Sequence, residues 1–266
     1  MNNYYIIDSH AHIFPTKIAN KAVQAIGDFY GLPMAHDGST ETLIRSGANI
    51  GVQHFVVHST ATHPDQVASI NHFIHKKCLQ NPSFIGFGTL HPDLDDFEKE
   101  IAHIQSLGLK GIKLHPDFQT FALDAPNALE MFSAIGNTLP VLVHLGDDRV
   151  DTSSPQRLAK VLDKNPSLLA IGAHLGGYTA WEDALQYLVG RENLYFDTSS
   201  SLAFIETDLA VQIIRSHGAD KILFGVDYPM WDHAEELERF LSLPLDESER
   251  QRILGENARR LFQLPL

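Results

Sequence analysis

The sequence predicts an α/β fold, a (β/α)8 TIM barrel with a cap insertion between strands 1 and 2. Three observations predict it: eight apolar runs recur along the chain, segments of helical periodicity separate them, and the 266 residues match one such barrel, typically about 250 residues. The runs are YYIIDSHAHI, VQHFVVHS, FIGFGTLH, GLKGIKLH, LPVLVHLG, LLAIGAHLG, NLYFDTSS and KILFGVDYP. Most are continuously apolar rather than alternating, as strands of a parallel sheet read when both faces are covered.

Taken in order, the first run carries His10 and His12 and leads into the longest gap of the series. The extra residues there, 14–40, include Phe14, Phe29, Tyr30, Gly31 and Pro33 and leave the barrel at the same end as His12, so a lid over the site is expected. After the second run, NHFIHKKCLQ reads as helix and holds the single cysteine, Cys78, which can form no internal disulfide and is expected to pack. After the third, Leu94, Phe97, Ile101, Ile104 and Leu107 share a helical face, with Asp93 expected as N-cap and Gly108 as stop. The fourth to seventh runs follow at similar spacing, and after the eighth ESERQRILGENARRLFQL reads as a closing amphipathic helix with Ile253, Leu254, Leu261 and Phe262 apolar. No linker or composition shift divides the chain, so one domain over residues 1–266 is expected.

Composition narrows the function classes. Hydrophobic residues at 44% and charged residues at 20% describe an ordinary globular chain, and no stretch nears the roughly 18 apolar residues of a membrane span. The start, MNNYY, lacks the basic and long apolar regions of a signal peptide, so a cytoplasmic location and no membrane partner are expected. A formal charge of −13 repels phosphate backbones, which argues against nucleic acid as a partner.

The chemistry concentrates at the strand ends, because catalytic groups of such barrels collect at the C-terminal ends of the strands. His10 and His12 lie two apart on one strand, so both side chains leave the same face, about 6.6 Å apart along the backbone. His144 closes the fifth run and Asp227 the eighth. An ionisable residue ending an apolar run is costly to bury alone, and an ion shared by His10, His12, His144 and Asp227 explains all four at once. Imidazoles with a carboxylate favour one divalent metal ion, Zn2+ first, with iron, manganese, cobalt and nickel as alternatives. His174, in AIGAHLGG, is expected beside the ion as a base or electrostatic group. His115 is expected to line the pocket, Tyr178, Trp181 and Trp231 to wall it, and Arg149 to meet a carboxylate of an anionic small-molecule substrate. His58, His91 and Asp197 are expected in supporting hydrogen bonds. Lys113 is expected in an ion pair inside the barrel, with Asp8 or another strand-end carboxylate.

These motifs carry a resemblance. DSHAHIFP, KLHP, VLVH, AHLGG, FDTS and FGVDYP, with the terminal LGENARRLF, resemble the amidohydrolase superfamily, in its amidohydrolase-related branch that includes aminocarboxymuconate semialdehyde decarboxylase. The resemblance implies metal ligands at His10, His12, His144 and Asp227, His174 beside the activated water, and a homodimer. It leaves two reactions open. The expected one is metal-dependent hydrolysis of a small amide, ester or lactone, with His174 and Asp227 as the catalytic residues. The alternative is non-oxidative decarboxylation of a small unsaturated or aromatic acid, set second because decarboxylases of the family carry longer insertions than this chain.

Overall fold

The computed structural model describes residues 4–265; residues 1–3 of the MNNYY segment and residue 266 lie outside them. Eight parallel strands follow one another around a barrel in chain order: β1 (Ile6–His12), β2 (Val52–His58), β3 (Phe84–Thr89), β4 (Gly111–Leu114), β5 (Val141–Val143), β6 (Ala170–Gly172), β7 (Leu194–Asp197) and β8 (Ile222–Leu223). Three backbone bonds close β8 onto β1: Ser9 N donates to Phe224 O at 2.8 Å, Asp227 N to His10 O at 2.8 Å, and His12 N to Tyr228 O at 2.7 Å. The last two lie at the mouth, so barrel closure itself fixes the backbones of His10, His12 and Asp227.

Between β1 and β2 stand α1 (Ala19–Tyr30) and α2 (Thr40–Ala48). The remaining helices are α3 (Val67–Gln80), α4 (Phe97–Ser106), the one-turn α5 (Pro116–Gln119), α6 (Pro126–Ile135), α7 (Pro155–Lys164), α8 (Trp181–Tyr187), α9 (Thr207–His217), α10 (His233–Ser242), α11 (Glu247–Gln251) and α12 (Asn257–Leu261). Among the described residues no helix is long and apolar enough to cross a membrane.

Side chains along a strand alternate between the helix layer and the barrel interior. The interior cluster holds Ile7, Val56, Ile85, Phe87, Leu142, Ile171 and Leu223, plugged from below by Ala258 and Phe262. Followed upward in steps of two, the same interior files change character. Leu142 gives way to His144, Gly111 to Lys113 and His115, Tyr195 to Asp197, and Leu223 through Gly225 to Asp227. The strand period thus turns a dry core into a polar mouth within two or three residues.

Three boundaries differ from the sequence expectation. His144, His174 and Asp227 lie past the last paired residues of β5, β6 and β8, which are Val143, Gly172 and Leu223. His174 and Asp227 adopt φ of 62° and 63°, so the chain turns off the ladder to aim these side chains. The N-cap of α4 is Asp96, whose carboxylate accepts from Lys99 N at 2.9 Å, whereas Asp93 accepts from Asn127 Nδ2 at 2.9 Å. The closing helix is broken by a wide turn over Arg252–Glu256, because a Cβ on Gly255 would sit 2.1 Å from Tyr5 O and the helix must pass directly over β1.

His217, at the end of α9, reports on this packing. Its Nε2 donates to Leu194 O at 2.9 Å, its Nδ1 accepts from Gly190 N at 3.1 Å, and its ring stacks on Phe196. Burial holds its pKa down to about 4 against the usual 6.5. The unfolded chain therefore binds more protons between those values, and the neutral form's stability, fully present above about 6.5, is lost as pH falls toward 4. Denaturant midpoints measured from pH 7 to pH 4.5 should fall more steeply for the wild type than for His217→Gln; parallel curves would contradict the assignment.

Candidate active site

At the mouth, His10 Nε2 and His12 Nε2 stand 3.3 Å apart, and each lies 3.4 Å from Asp227 Oδ1. The two imidazole–carboxylate separations are long for N–H···O hydrogen bonds, which fall at about 2.7–3.2 Å. Atoms bound to one tetrahedral ion at ~2.0–2.1 Å stand about 3.3–3.4 Å apart, so these three atoms have the spacing of groups that would hold one ion. Burial pushes the pKa of His12 down to about 4, which leaves the neutral imidazole that ligation needs. Burial opposes the charge on Asp227, but interactions with His10, His12 and His174 outweigh it and hold the carboxyl well below its usual range. Ser200 Oγ donates to Asp227 Oδ2 at 2.5 Å and receives Trp231 Nε1 at 2.9 Å, which fixes the carboxylate's other oxygen.

The far nitrogens of the imidazoles are pinned. His10 Nδ1 donates to Asp197 Oδ2 at 2.8 Å, while its Nε2 accepts from Lys113 Nζ at 3.1 Å. His174 Nδ1 faces the carbonyl of Ser199 at 2.9 Å, an acceptor only, so the proton is on Nδ1 and Nε2 carries a lone pair. His144 Nδ1 donates to that lone pair on His174 Nε2 at 2.9 Å, which leaves a lone pair on His144 Nε2. Asp117 Oδ2 lies 3.2 Å from His144 Nε2 and is itself a buried oxygen with no hydrogen-bond partner among the described residues. A carboxylate behind a histidine, as Asp197 stands behind His10, is the usual means of fixing a ligand's tautomer.

His58 adds a further sign of an ion. It is fully buried, its ring centroid is 4.4 Å from that of His12 and 5.0 Å from that of His10, and neither ring nitrogen finds a partner among the described residues. Unpaired buried donors and acceptors are rare and costly. The donor set at this mouth, imidazoles and one carboxylate with a buried orphan alongside, fits a divalent cation.

His12, Tyr30, His115, His144, His174 and Asp227 line one cavity of about 20 Å³, enough for about one water. Its roof is the insertion. Tyr30, the last residue of α1, places its hydroxyl 3.3 Å from His115 Nε2 and 3.5 Å from His144 Nε2, and burial followed by nearby carboxylates raises its pKa well above normal. It stays a neutral phenol.

The expected wall residues take different places. His115 is stacked between Phe118 and His144. Tyr178 borders a smaller void with Tyr30, His174 and Asp227. Trp181 is buried and donates to His174 O at 3.0 Å, so it holds the histidine's backbone. Arg149 is already occupied: Nε and Nη2 bind Asp147 at 2.7 and 2.5 Å, Nη1 donates to Phe29 O at 2.8 Å, and the guanidinium lies over Phe29 and Tyr30. It anchors the closed cap rather than awaiting a carboxylate. Lys113 meets His10 and not Asp8, whose carboxylate takes the backbone N–H groups of His10 and Val226 and the ring of His233. Sequence reasoning passed over Asp117 and Ser199 and read Tyr30 only as part of the cap. The HPD of KLHPD was the available signal for Asp117; nothing local marks Ser199.

The amidohydrolase family profile matches residues 7–264. Among solved structures, 5-carboxyvanillate decarboxylase from Sphingomonas paucimobilis is 16% identical with a TM-score of 0.76, covering 99% of this chain and 100% of its own. A dihydroxybenzoic acid decarboxylase from a Polaromonas species, with bound manganese and the inhibitor 2-nitroresorcinol, is 17% identical at 0.75, covering 98% and 97%. A candidate 2-pyrone-4,6-dicarboxylic acid hydrolase from Pseudomonas putida is 19% identical at 0.69, covering 100% of both. At these identities the likeness is one of fold.

If Asp197 fixes the tautomer of His10, Asp197→Asn should lower divalent-ion affinity by about 10- to 100-fold, read by calorimetric titration with Zn2+ or Mn2+. Unchanged affinity would remove that role.

Proposed function

The chain belongs to the amidohydrolase family, and from that premise we propose that it is a metal-dependent carboxy-lyase that releases CO2 without oxidation from a small aromatic or unsaturated carboxylic acid. The observation that carries the choice of reaction is the mouth itself: the ligand triangle opens into a cavity that Tyr30 closes and that Ile26, Met34, Phe118 and Met230 also line. Such a pocket excludes water, which favours protonation of carbon over attack by water. The decarboxylases of like fold support the same choice.

His10, His12 and Asp227 would hold the ion, with His144 beside them at the same cavity. Bound there, a divalent ion, Zn2+ or Mn2+, supplies fixed positive charge that orients the substrate's carboxylate and neighbouring oxygen. The chain's own groups do the rest. Asp197 and Ser199 keep the imidazoles of His10 and His174 turned inward. The facing His144 Nδ1 and His174 Nε2 share a proton, and His174 Nε2 gives it to the carbon that loses its carboxylate. The balance is one proton taken up by carbon and one CO2 released. Burial holds the pKa of His174 down to about 3, so its resting form is neutral and the proton it passes on is taken up only in the course of turnover. Tyr30, a neutral donor over the pocket, moves with α1 to admit substrate.

Hydrolysis of a lactone or ester remains the second reading, favoured by the Pseudomonas neighbour.

Manganese- or zinc-loaded protein offered hydroxylated benzoates and muconate-like acids should release CO2, and His174→Asn should lower kcat by about 100-fold or more while ion stoichiometry holds. Turnover confined to a lactone and ester panel, with no CO2 from any acid, would overturn the carboxy-lyase reading in favour of hydrolysis.

A further inference from the structure

With its roof closed the catalytic cavity holds about one water, too little for an organic acid, and part of its lining is shared with a second space. His12, Ile26 and Phe118 also line a second cavity of about 670 Å³ that runs outward between α1 and α3. Ligand pockets for drug-sized molecules span about 300–1,000 Å³, so this is the volume of a bound molecule rather than a packing defect.

Its wall on the cap side is written into the sequence. Ile18, Ala22, Ala25, Ile26 and Phe29 recur at helical spacing and form one apolar stripe along α1. The residues α1 buries are Ala19 and Val23, on an adjoining face. The stripe is left uncovered, and Ile18 is 51% exposed. The opposite wall offers Ile70 and Phe73 from α3. No Asp, Glu, Lys or Arg lines the cavity, in a chain with a formal charge of −13. A surface helix that turns an apolar stripe toward an open cleft leaves area that a ligand can cover.

We propose that this cleft binds an uncharged apolar arm, an alkyl or aryl substituent several carbons long, carried by an acid whose carboxylate sits at His12. The inference deepens the carboxy-lyase reading and rests on it for the head group alone. The arm follows from the lining that the two cavities share, His12, Ile26 and Phe118, and from the absence of charged side chains around the second. The cap thereby acquires a second role. Helix α1 ends on Tyr30 above the chemistry and presents its stripe to the arm, so filling the cleft and closing the roof are functions of one helix.

The test is a series of 4-alkylbenzoates from methyl to octyl, with binding to the metal-loaded protein measured by calorimetry independently of turnover. Affinity should rise by about 2- to 4-fold for each added methylene. Ala25→Trp and, from the other wall, Ser69→Trp should erase the gain from butyl to octyl; both sites are exposed, so the fold is retained. Affinity that does not depend on chain length, or a gain that survives both tryptophans, would overturn the proposal. So would a mass in sedimentation that falls from dimer to monomer on Ala25→Trp with no chain-length effect, since a second copy would then cover the stripe. A chain-length gain without CO2 release from any acid would leave the cleft standing and sink the carboxy-lyase reading; CO2 release without a gain would do the reverse.

Discussion

The negative charge on Asp227 has to be answered where it stands. Its Oδ1 lies 3.4 Å from two imidazole nitrogens in a mouth with little access to water, and its Oδ2 has already taken the hydroxyl of Ser200. An isolated ionised carboxylate in such surroundings is costly, and the imidazoles around it offset that cost only by carrying positive charge. A cation held by His10, His12 and Asp227 would supply that charge instead. The arrangement behind these groups serves that outcome: Asp197 and the carbonyl of Ser199 hold Nδ1 of His10 and His174 so that their other nitrogens face inward.

The barrel supplies the precision. Because closure of β8 on β1 runs through Asp227 N to His10 O and His12 N to Tyr228 O, the triangle is braced by the same bonds that seal the sheet. Below it, Phe87 packs where a Cβ on Gly111 would sit, and the interior stays dry up to Lys113. Above it, Arg149 ties α1 down through Phe29 O. The lid is held by that bond together with the edge-to-face packing of Phe29 and Tyr30 on Phe118 and of Tyr30 on Tyr178.

Much of this was legible in the chain. Eight continuous apolar runs gave the strands, and steps of two along the interior files gave the polar mouth, because sheet geometry leaves little freedom. His10, His12 and Asp227 could be named because buried ionisable groups after apolar runs need a reason. What sequence could not give was orientation. Arg149 looked free because its partner, Asp147, is set by a loop with φ of 80°. Asp117 was passed over, although the HPD of KLHPD marks it, and its side chain is 1% exposed beside His144. His58 was expected in a supporting hydrogen bond, but it packs on both histidines of β1 and neither ring nitrogen has a partner among the described residues. Tertiary packing decides such cases, and local pattern carries little of it.

Whether the far nitrogens are pinned so that lone pairs converge can be read by nitrogen-15 to proton correlation on the histidine rings of the metal-free protein. The expected spectrum has a proton on Nδ1 of His10, His144 and His174, with Zn2+ then shifting Nε2 of His10 and of His12. A proton on Nε2 of His10, with no response of either nitrogen to Zn2+, would contradict the convergence of lone pairs on one ion.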